Sequence, residues 1–145
     1  MSFLAAPAHW RTYKERYRLM GSKCITCGNV YFPTRNLCPV CRREGKMEDL
    51  EFSGKGKVHS FTMIRAAPEG FEKFTPYAIG LIELLEGPKV ISQIVDCDFD
   101  DIKINMSVET CFRKLMEQGK DGIICYGFKF KPEDESWRKS ELKTS

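Results

Sequence analysis

Cys24-Ile-Thr-Cys27-Gly28 and Cys38-Pro-Val-Cys41 are two Cys-x-x-Cys motifs, with ten residues between Cys27 and Cys38, in a chain of 145 residues. Each motif turns its two sulfurs towards one point, and two such motifs complete a tetrahedral set of ligands. Gly28 tolerates the tight backbone that follows a second ligand. The motifs therefore predict a metal site with four thiolate ligands: Cys24, Cys27, Cys38 and Cys41.

The expected metal is one zinc ion per chain, with iron as the second choice, because tetrahedral thiolate sites accept both. Four thiolates leave no open position for water, so the metal should be structural and not hydrolytic. The alternative is two disulfides or free thiols. The seven cysteines are an odd number, and four of them fall within 18 residues, which favours metal-bound thiols in a reducing compartment.

The composition is that of a soluble globular protein, with 42% hydrophobic and 30% charged residues. No run approaches the length of a membrane span, and the first residues lack the features of a secretory signal, so a cytoplasmic location is expected. The net charge of +3 divides into +6 for residues 1–48 and −3 for residues 49–145. The mildly acidic larger part argues against a surface that neutralises many phosphates.

Residues 6–20 have the periodicity of a helix, and Pro7 suits its first turn. Aromatic and apolar residues recur at helical spacing: Trp10, Tyr13, Tyr17 and Met20. Gly21 is expected to end the helix, although residues 17–23 could equally form a strand that leads into the cysteines.

From residue 49 onwards the pattern is typical of β-strands. β-branched and aromatic residues concentrate in five stretches separated by short turns: 57–64, 77–85, 89–95, 107–115 and 122–130. Five short strands predict a small barrel, and an OB-type barrel is the smallest closed solution. The predicted fold is mainly β: an N-terminal helix (residues 1–20), a zinc ribbon (21–48), a five-stranded OB-fold barrel (49–131) and a charged tail (132–145).

These motifs, in this order, resemble an archaeal and bacterial family that pairs a rubredoxin-like zinc ribbon with an acyl-CoA-associated OB-fold. The family was long catalogued as the domain of unknown function number thirty-five. The resemblance covers about residues 8–131 and rests on Gly21-Ser-Lys-Cys-Ile-Thr-Cys-Gly28, Phe32-Pro-Thr-Arg35, Cys38-Pro-Val-Cys41, Phe52-Ser-Gly-Lys-Gly-Lys-Val58, Ser60-Phe-Thr62, Gly87-Pro88, Gln93-Ile-Val-Asp96 and Tyr126-Gly-Phe-Lys-Phe130.

The resemblance implies a non-catalytic partner of thiolase-superfamily enzymes. Members of the family bridge an acetoacetyl-CoA thiolase and a hydroxymethylglutaryl-CoA synthase in archaea, and help the CoA-linked intermediate pass between them. Other members accompany thiolase-like acyltransferases or steroid side-chain aldolases. The resemblance also implies that the OB barrel faces the acyl-CoA, and that the ribbon and the N-terminal helix dock onto the enzyme.

The loop between the first two barrel strands is the candidate acyl-CoA site, because OB-folds commonly bind ligands there. Its cations suit phosphate, and its aromatic rings suit an adenine ring or an acyl chain. The candidate residues are Arg65, Phe71, Lys73 and Phe74, together with Lys55 and Lys57 beside the glycines at the first strand. The alternative is that the two phenylalanines only close the barrel mouth and that the lysines are only solvated.

Trp10, Tyr13 and Tyr17 would form an aromatic stripe on the predicted helix. An exposed stripe of this kind usually marks a surface on which a partner protein docks. The alternative is that the three rings pack onto the ribbon or the barrel of the same chain.

The two histidines, the acidic run and the remaining cysteines are expected to have ordinary structural roles. His9 and His59 lack a neighbouring nucleophile–base pattern, and the acidic run at 96–101 lacks the glycine and the glutamate of a calcium loop. Three further cysteines are expected to be small apolar residues in or beside strands: Cys97, Cys111 and Cys125.

Binding of single-stranded nucleic acid is the main rival function. Zinc ribbons and OB-folds both occur in that role, and Tyr126-Gly-Phe-Lys-Phe130 resembles an aromatic stacking motif. The negative charge of residues 49–145 argues against it, as does the alternation of these aromatic residues within a strand. Electron transfer by an iron centre would leave the whole barrel unexplained.

Overall fold

The computed structural model describes residues 10–11, 13–66, 68, 71–117 and 124–133. The chain forms two compact units: a ribbon unit of residues 1–53, 86–88 and 112–128, and a barrel unit of residues 54–85, 89–111 and 129–145. In chain order the elements are α1 (Tyr13–Arg18), β1 (Met20–Cys24), β2 (Val30–Tyr31), β3 (Met47–Glu51), β4 (Lys55–Ile64), β5 (Tyr77–Leu84), β6 (Lys89–Ile94), β7 (Ser107–Glu117) and β8 (Ile124–Pro132). Two short 3-10 turns, Glu72–Phe74 and Phe99–Asp101, lie in the barrel unit.

The ribbon unit contains a three-stranded antiparallel sheet with the order β2-β1-β3. β1 is central: Ser22 lies opposite Tyr31 on β2 and opposite Asp49 on β3. Gly21 lies so close to Phe52 that a Cβ atom at this position would come within 2.5 Å of the ring. The sheet therefore requires a residue without a side chain at Gly21.

The N-terminal helix predicted for residues 1–20 is wrong, because the chain leaves the helical conformation after Arg18 and enters a strand at Met20. Among the residues that the structure describes, the helix with defined ends in this region is α1, which has six residues. Met20 already lies in β1, where it pairs with Glu51 of β3. The alternative interpretation, a strand over residues 17–23 that leads into the cysteines, agrees with β1 from Met20 onwards, whereas residues 17–18 belong to α1.

α1 ends at Arg18, and Leu19 follows it, two residues before the glycine that was expected to end the helix. The φ of 47° at Leu19 is left-handed, a conformation that costs a residue with a side chain about 1–2 kcal/mol. The Leu19 side chain is buried, and its carbonyl accepts a 3.2 Å hydrogen bond from the Phe52 N–H. Burying a leucine contributes about 1.5–3 kcal/mol, which offsets the backbone cost.

Strands β4 to β8 form a closed barrel with the order β4-β5-β6-β8-β7, so the predicted five-stranded barrel is confirmed. β4 is antiparallel to β5 and β7, and β5 is antiparallel to β6. β6 pairs with β8 in parallel, with Ile94 opposite Phe130. β7 and β8 each belong to both units, since the unit boundaries fall at Phe112 and Lys129.

The barrel unit has its own apolar core. Its most deeply buried side chains are Val58, Ala78, Ile82, Val108 and Phe130. Full burial of each larger member stabilises the fold by about 1.5–3 kcal/mol. None of the described helices has the length and apolar character needed to cross a membrane.

Candidate metal centre and ligand surfaces

The four cysteines of the two motifs converge, and their sulfur atoms all lie within 4.8 Å of one another. Cys24 and Cys38 are buried, Cys41 is partly buried and Cys27 is exposed. This arrangement is a compact cluster of four sulfur atoms, in which Cys27 is exposed to solvent. The four sulfurs are a donor set that could hold a single zinc or iron ion.

Backbone hydrogen bonds shape each of the two turns. The Gly28 N–H donates to the Cys24 carbonyl at 2.8 Å, and the Arg42 N–H donates to the Cys38 carbonyl at the same distance. The residue after the second cysteine of each motif has a left-handed backbone conformation, with a φ angle of 77° at Gly28 and of 51° at Arg42. Arg42 therefore adopts the conformation that glycine adopts in the first turn.

The sulfurs are too close together for all four to ionise without a cation. The Cys41 backbone N–H, 3.5 Å from Sγ of Cys38, is the main cause that lowers the pKa of Cys38 to about 6. The hydrogen bond with Cys27, followed by burial, raises the pKa of Cys41 to about 12. A divalent cation removes this conflict, because a coordinated thiol is deprotonated. The residues present therefore fit a metal ion.

Gly45 is part of the centre but is not among the residues predicted from the sequence. A Cβ atom at this position would lie 2.8 Å from Cβ of Cys38, 3.0 Å from Cβ of Cys41 and 3.3 Å from Sγ of Cys24. The backbone at Gly45 closes over the sulfurs at a distance that only glycine permits. Its isolated position, four residues after Cys41, gives no signal in the sequence.

Three of the six predicted ligand residues lie at or beside the two opposite ends of β4. Lys55 and Lys57 lie at the beginning of β4, and Arg65 directly follows its end. Eight residues of extended strand span about 25 Å, so one small phosphate group does not contact residues at both ends. Lys55 also forms an ion pair with Glu133.

The remaining predicted ligand residues lie together. Phe71, Lys73 and Phe74 belong to or flank the turn Glu72–Phe74, and the ring centroids of Phe71 and Phe74 are 6.2 Å apart. Lys129, on β8, joins this group and was not predicted: its Nζ lies 5.8 Å from the centroid of the Phe74 ring. The sequence did offer one signal for Lys129, which is its position between two phenylalanines in the Tyr126–Phe130 motif.

The predicted docking residues have different surroundings. Trp10 is 77% exposed, and Tyr13 lies in α1. Tyr17 packs within the ribbon unit, with its ring 5.2 Å from that of Phe112. Phe112 stacks on Tyr126 at 5.7 Å with an interplanar angle of 12°. The three rings form a continuous aromatic cluster in the ribbon unit, in which Tyr17 is tilted by 49° against Phe112 and Phe112 is stacked on Tyr126.

The other residues considered have ordinary surroundings. His59 contacts Lys89 at 3.1 Å and Glu83 at 3.7 Å on the barrel surface, and His9 lies outside the described residues. Burial, with the nearby aspartates, raises the pKa of Cys97 to about 11, as expected for an unreactive thiol. Part of the acidic run forms the turn Phe99–Asp101.

A four-cysteine ribbon joined to a five-stranded barrel defines a protein of the zinc-ribbon and OB-fold class. Two family models match the chain: "ChsH2, rubredoxin-like zinc ribbon domain" over residues 11–48, and "ChsH2, C-terminal OB-fold domain" over residues 50–113. The chain belongs to the family of DUF35 domain-containing scaffold proteins. A scaffold protein of this name from Methanothermobacter thermautotrophicus is 55% identical over 123 residues, which cover 85% of this chain and 92% of the relative.

Two other similar proteins have more specific names. The benzoylsuccinyl-CoA thiolase subunit BbsA of Thauera aromatica is 30% identical over 132 residues, which cover 88% of this chain and 83% of that subunit. A solved chain of the "Ltp2-ChsH2(DUF35) aldolase" superposes with a TM-score of 0.66 at 26% identity, and the match covers 92% of this chain and 99% of that chain. The predicted family is therefore confirmed.

Proposed function

We propose that this protein is a non-catalytic scaffold subunit, which assembles with a thiolase-superfamily enzyme and holds or passes a CoA-linked intermediate. The observation that carries the proposal is a match over nearly the whole chain to a subunit of a benzoylsuccinyl-CoA thiolase and to a chain of the "Ltp2-ChsH2(DUF35) aldolase". The enzymes of the proposed complex are an acetoacetyl-CoA thiolase and a hydroxymethylglutaryl-CoA synthase.

The metal in this proposal is one structural zinc ion, held by Cys24, Cys27, Cys38 and Cys41. Zinc supplies a fixed tetrahedral cross-link here and no reaction step, because four thiolates fill its coordination sphere. The chain's own residues shape the cross-link: Gly45 packs over the sulfurs, and the Cys41 N–H points at Sγ of Cys38.

Trp10 is the proposed anchor for the enzyme. Tryptophan is enriched among the residues that dominate protein–protein affinity, and this side chain is 77% exposed. Tyr13 and Tyr17 are proposed to contribute to the same surface, which would extend through Tyr17 to the aromatic cluster with Phe112 and Tyr126.

Co-expression with a thiolase-superfamily enzyme from the same organism tests the proposal. Size-exclusion chromatography with light scattering should detect a stable complex. Trp10→Ala should weaken it at least tenfold, without a change in zinc content or melting temperature. Ile91→Ala is the matched control, since Ile91 is 73% exposed on the barrel unit. Turnover of acetoacetyl-CoA by the isolated chain, or failure to form any such complex, would contradict the proposal.

Binding of single-stranded nucleic acid is the second candidate. The parallel rings of Phe112 and Tyr126 favour it, because bases stack on aromatic platforms of this kind. The negative net charge of residues 49–145 disfavours it.

A further inference from the structure

The four cysteines of the metal centre differ in their access to solvent. Cys27 is exposed, whereas Cys24 and Cys38 are buried and Cys41 is partly buried. The oxidation of a cysteine depends on its thiolate character and on its exposure. All four sulfurs are thiolates when a metal is bound, so exposure is the property that distinguishes them. Cys27 is therefore the ligand that a small oxidant in solution reaches first.

The backbone at Gly45 covers three of the four cysteine ligands. A Cβ atom at this position would lie within 3.3 Å of an atom from each of these three residues: Cys24, Cys38 and Cys41. The surroundings of Cys27 are different. A Cβ atom at Gly28, the next residue, would have no atom of the described residues within 4 Å apart from its chain neighbours, and residues 25–29 are all exposed. The metal centre is therefore open on the side of Cys27.

A buried cysteine lies directly beside the exposed one. Sγ of Cys27 is 3.5 Å from Sγ of Cys38. Because a disulfide bond is about 2.05 Å long, the two sulfurs need to approach each other by only about 1.5 Å to form one. An accessible thiolate next to a second cysteine that can resolve its oxidised form is the arrangement of redox-sensitive thiols.

We propose that Cys27 is the site at which a peroxide oxidises the metal centre, and that Cys38 then forms a disulfide with Cys27 so that zinc is released. In the first step the Cys27 thiolate attacks one oxygen of hydrogen peroxide. The O–O bond breaks, hydroxide leaves and Cys27 becomes a sulfenic acid. In the second step the Cys38 thiolate attacks the Cys27 sulfur, the S–O bond breaks and a second hydroxide leaves.

This reaction balances and has a defined effect on the ribbon unit. The two thiolates together lose two electrons, which the peroxide gains. Loss of two of the four ligands weakens the binding of zinc, so a chelator removes the ion. The core of the barrel unit contains none of the four cysteines and is expected to stay folded. The inference concerns the centre alone and does not depend on the proposed scaffold function.

Treatment of the full, zinc-loaded chain with hydrogen peroxide tests the inference. A coloured chelator should detect zinc release that proceeds together with the loss of thiols. Dimedone, which traps sulfenic acids, should label Cys27 first. Without dimedone, fragmentation mass spectrometry of the non-reduced protein should identify a disulfide between Cys27 and Cys38. A reductant with added zinc should restore the full zinc content, because a disulfide is reversible whereas a sulfinic acid is not.

Two matched histidine substitutions locate the point of attack. Cys27→His keeps a zinc ligand, since three cysteines and one histidine also form structural zinc sites, and it should slow zinc release by peroxide at least tenfold. Cys41→His makes the same exchange at a partly buried ligand and should slow the release less than threefold. Cys97→Ser, outside the centre, should release zinc at the wild-type rate.

The measurements on the wild-type chain decide the matter even if a histidine variant fails to hold zinc. Dimedone labelling of another ligand before Cys27 would overturn the inference. A first disulfide within either Cys-x-x-Cys motif, or full retention of zinc in excess peroxide, would do the same. None of these results would affect assembly with the enzyme in the absence of peroxide, so the proposed function would stand.

Discussion

The hydroxyl group of Tyr31 lies 3.6 Å from Sγ of Cys38, and the guanidinium carbon of Arg35 lies 5.5 Å from the centroid of the same tyrosine ring. The hydrogen bond with Cys38 is the main cause that raises the pKa of Tyr31, as expected when a phenol donates to a sulfur anion. Tyr31 thus stabilises one buried thiolate from outside the ligand set, and Arg35 supplies a positive charge behind it.

Tyr31→Phe should weaken zinc binding about tenfold, because loss of a hydrogen-bond partner of a metal ligand typically costs 10–100-fold in affinity. Competition with a coloured chelator measures the change. Tyr126→Phe is the control, since Tyr126 stacks on Phe112. Equal zinc affinity of Tyr31→Phe and wild type would show that the contact does not act on the metal.

Cys38→Ser should lower the zinc content from about one equivalent to below half, since three ligands hold the metal much less tightly. Elemental analysis of the fresh protein measures the stoichiometry. Amide exchange at Val58 and Ile82 should remain slow, because the core of the barrel unit contains neither motif. Cys97→Ser is the control and should retain a full equivalent of zinc.

Gly45→Ala and Gly28→Ala should have different effects on the metal centre. At Gly45 the new Cβ must displace Cβ of Cys38, only 2.8 Å away, so zinc affinity should fall. At Gly28 no atom lies within 4 Å of the new Cβ, and the left-handed backbone costs only about 1–2 kcal/mol of stability. Chelator competition and thermal unfolding distinguish the two effects. A larger loss of zinc affinity in Gly28→Ala would contradict this assignment.

Alkylation of Cys97 by iodoacetamide should be slow at pH 8 and should accelerate about tenfold per pH unit up to pH 10. Only the thiolate reacts, and burial together with Asp101 raises the pKa of Cys97 to about 11. Asp101→Asn should lower that pKa and raise the rate at pH 8, whereas Asp49→Asn in the ribbon unit should not. Peptide mass spectrometry measures the rates, and a rate independent of pH would contradict the prediction.

Binding to single-stranded DNA or RNA should be weaker than about 10 μM near physiological salt and should decrease steeply as salt increases. Fluorescence anisotropy with a labelled oligonucleotide measures it. Submicromolar affinity at that salt concentration, lost in Phe112→Ala, would make nucleic-acid binding the first candidate function.

The parts of the fold that depend on local patterns could be predicted from the sequence. The convergence of four sulfurs follows from the geometry of each Cys-x-x-Cys turn, and the five barrel strands follow from alternation and turn residues. The end of α1 at Arg18 could not be predicted in this way. It depends on the pairing of Met20 with Glu51 and on the hydrogen bond from Phe52, which are contacts between distant residues.

Contacts between distant residues also explain why the surroundings of Phe112 and Lys129 could not be predicted from the sequence. Phe112 lies on the same face of β7 as Val108 and would be expected to be buried. It is instead 48% exposed, contacts the Tyr17 ring and stacks on the Tyr126 ring. Lys129 would be expected to be solvated, yet a turn more than 50 residues earlier contributes the ring beside it. Periodicity cannot report which distant segment contacts a given strand.

The sharing of β7 and β8 between the two units has a consequence for how this protein can be divided or recombined. The ribbon unit needs residues 86–88 and 112–128 in addition to residues 1–53. A truncated gene that ends at residue 53 therefore encodes an incomplete module, without Phe112 and Tyr126 beside Tyr17. Exchange of the ribbon unit between relatives therefore requires that the parts of β7 and β8 within residues 112–128 be exchanged with it. The two units are for this reason expected to be inherited together.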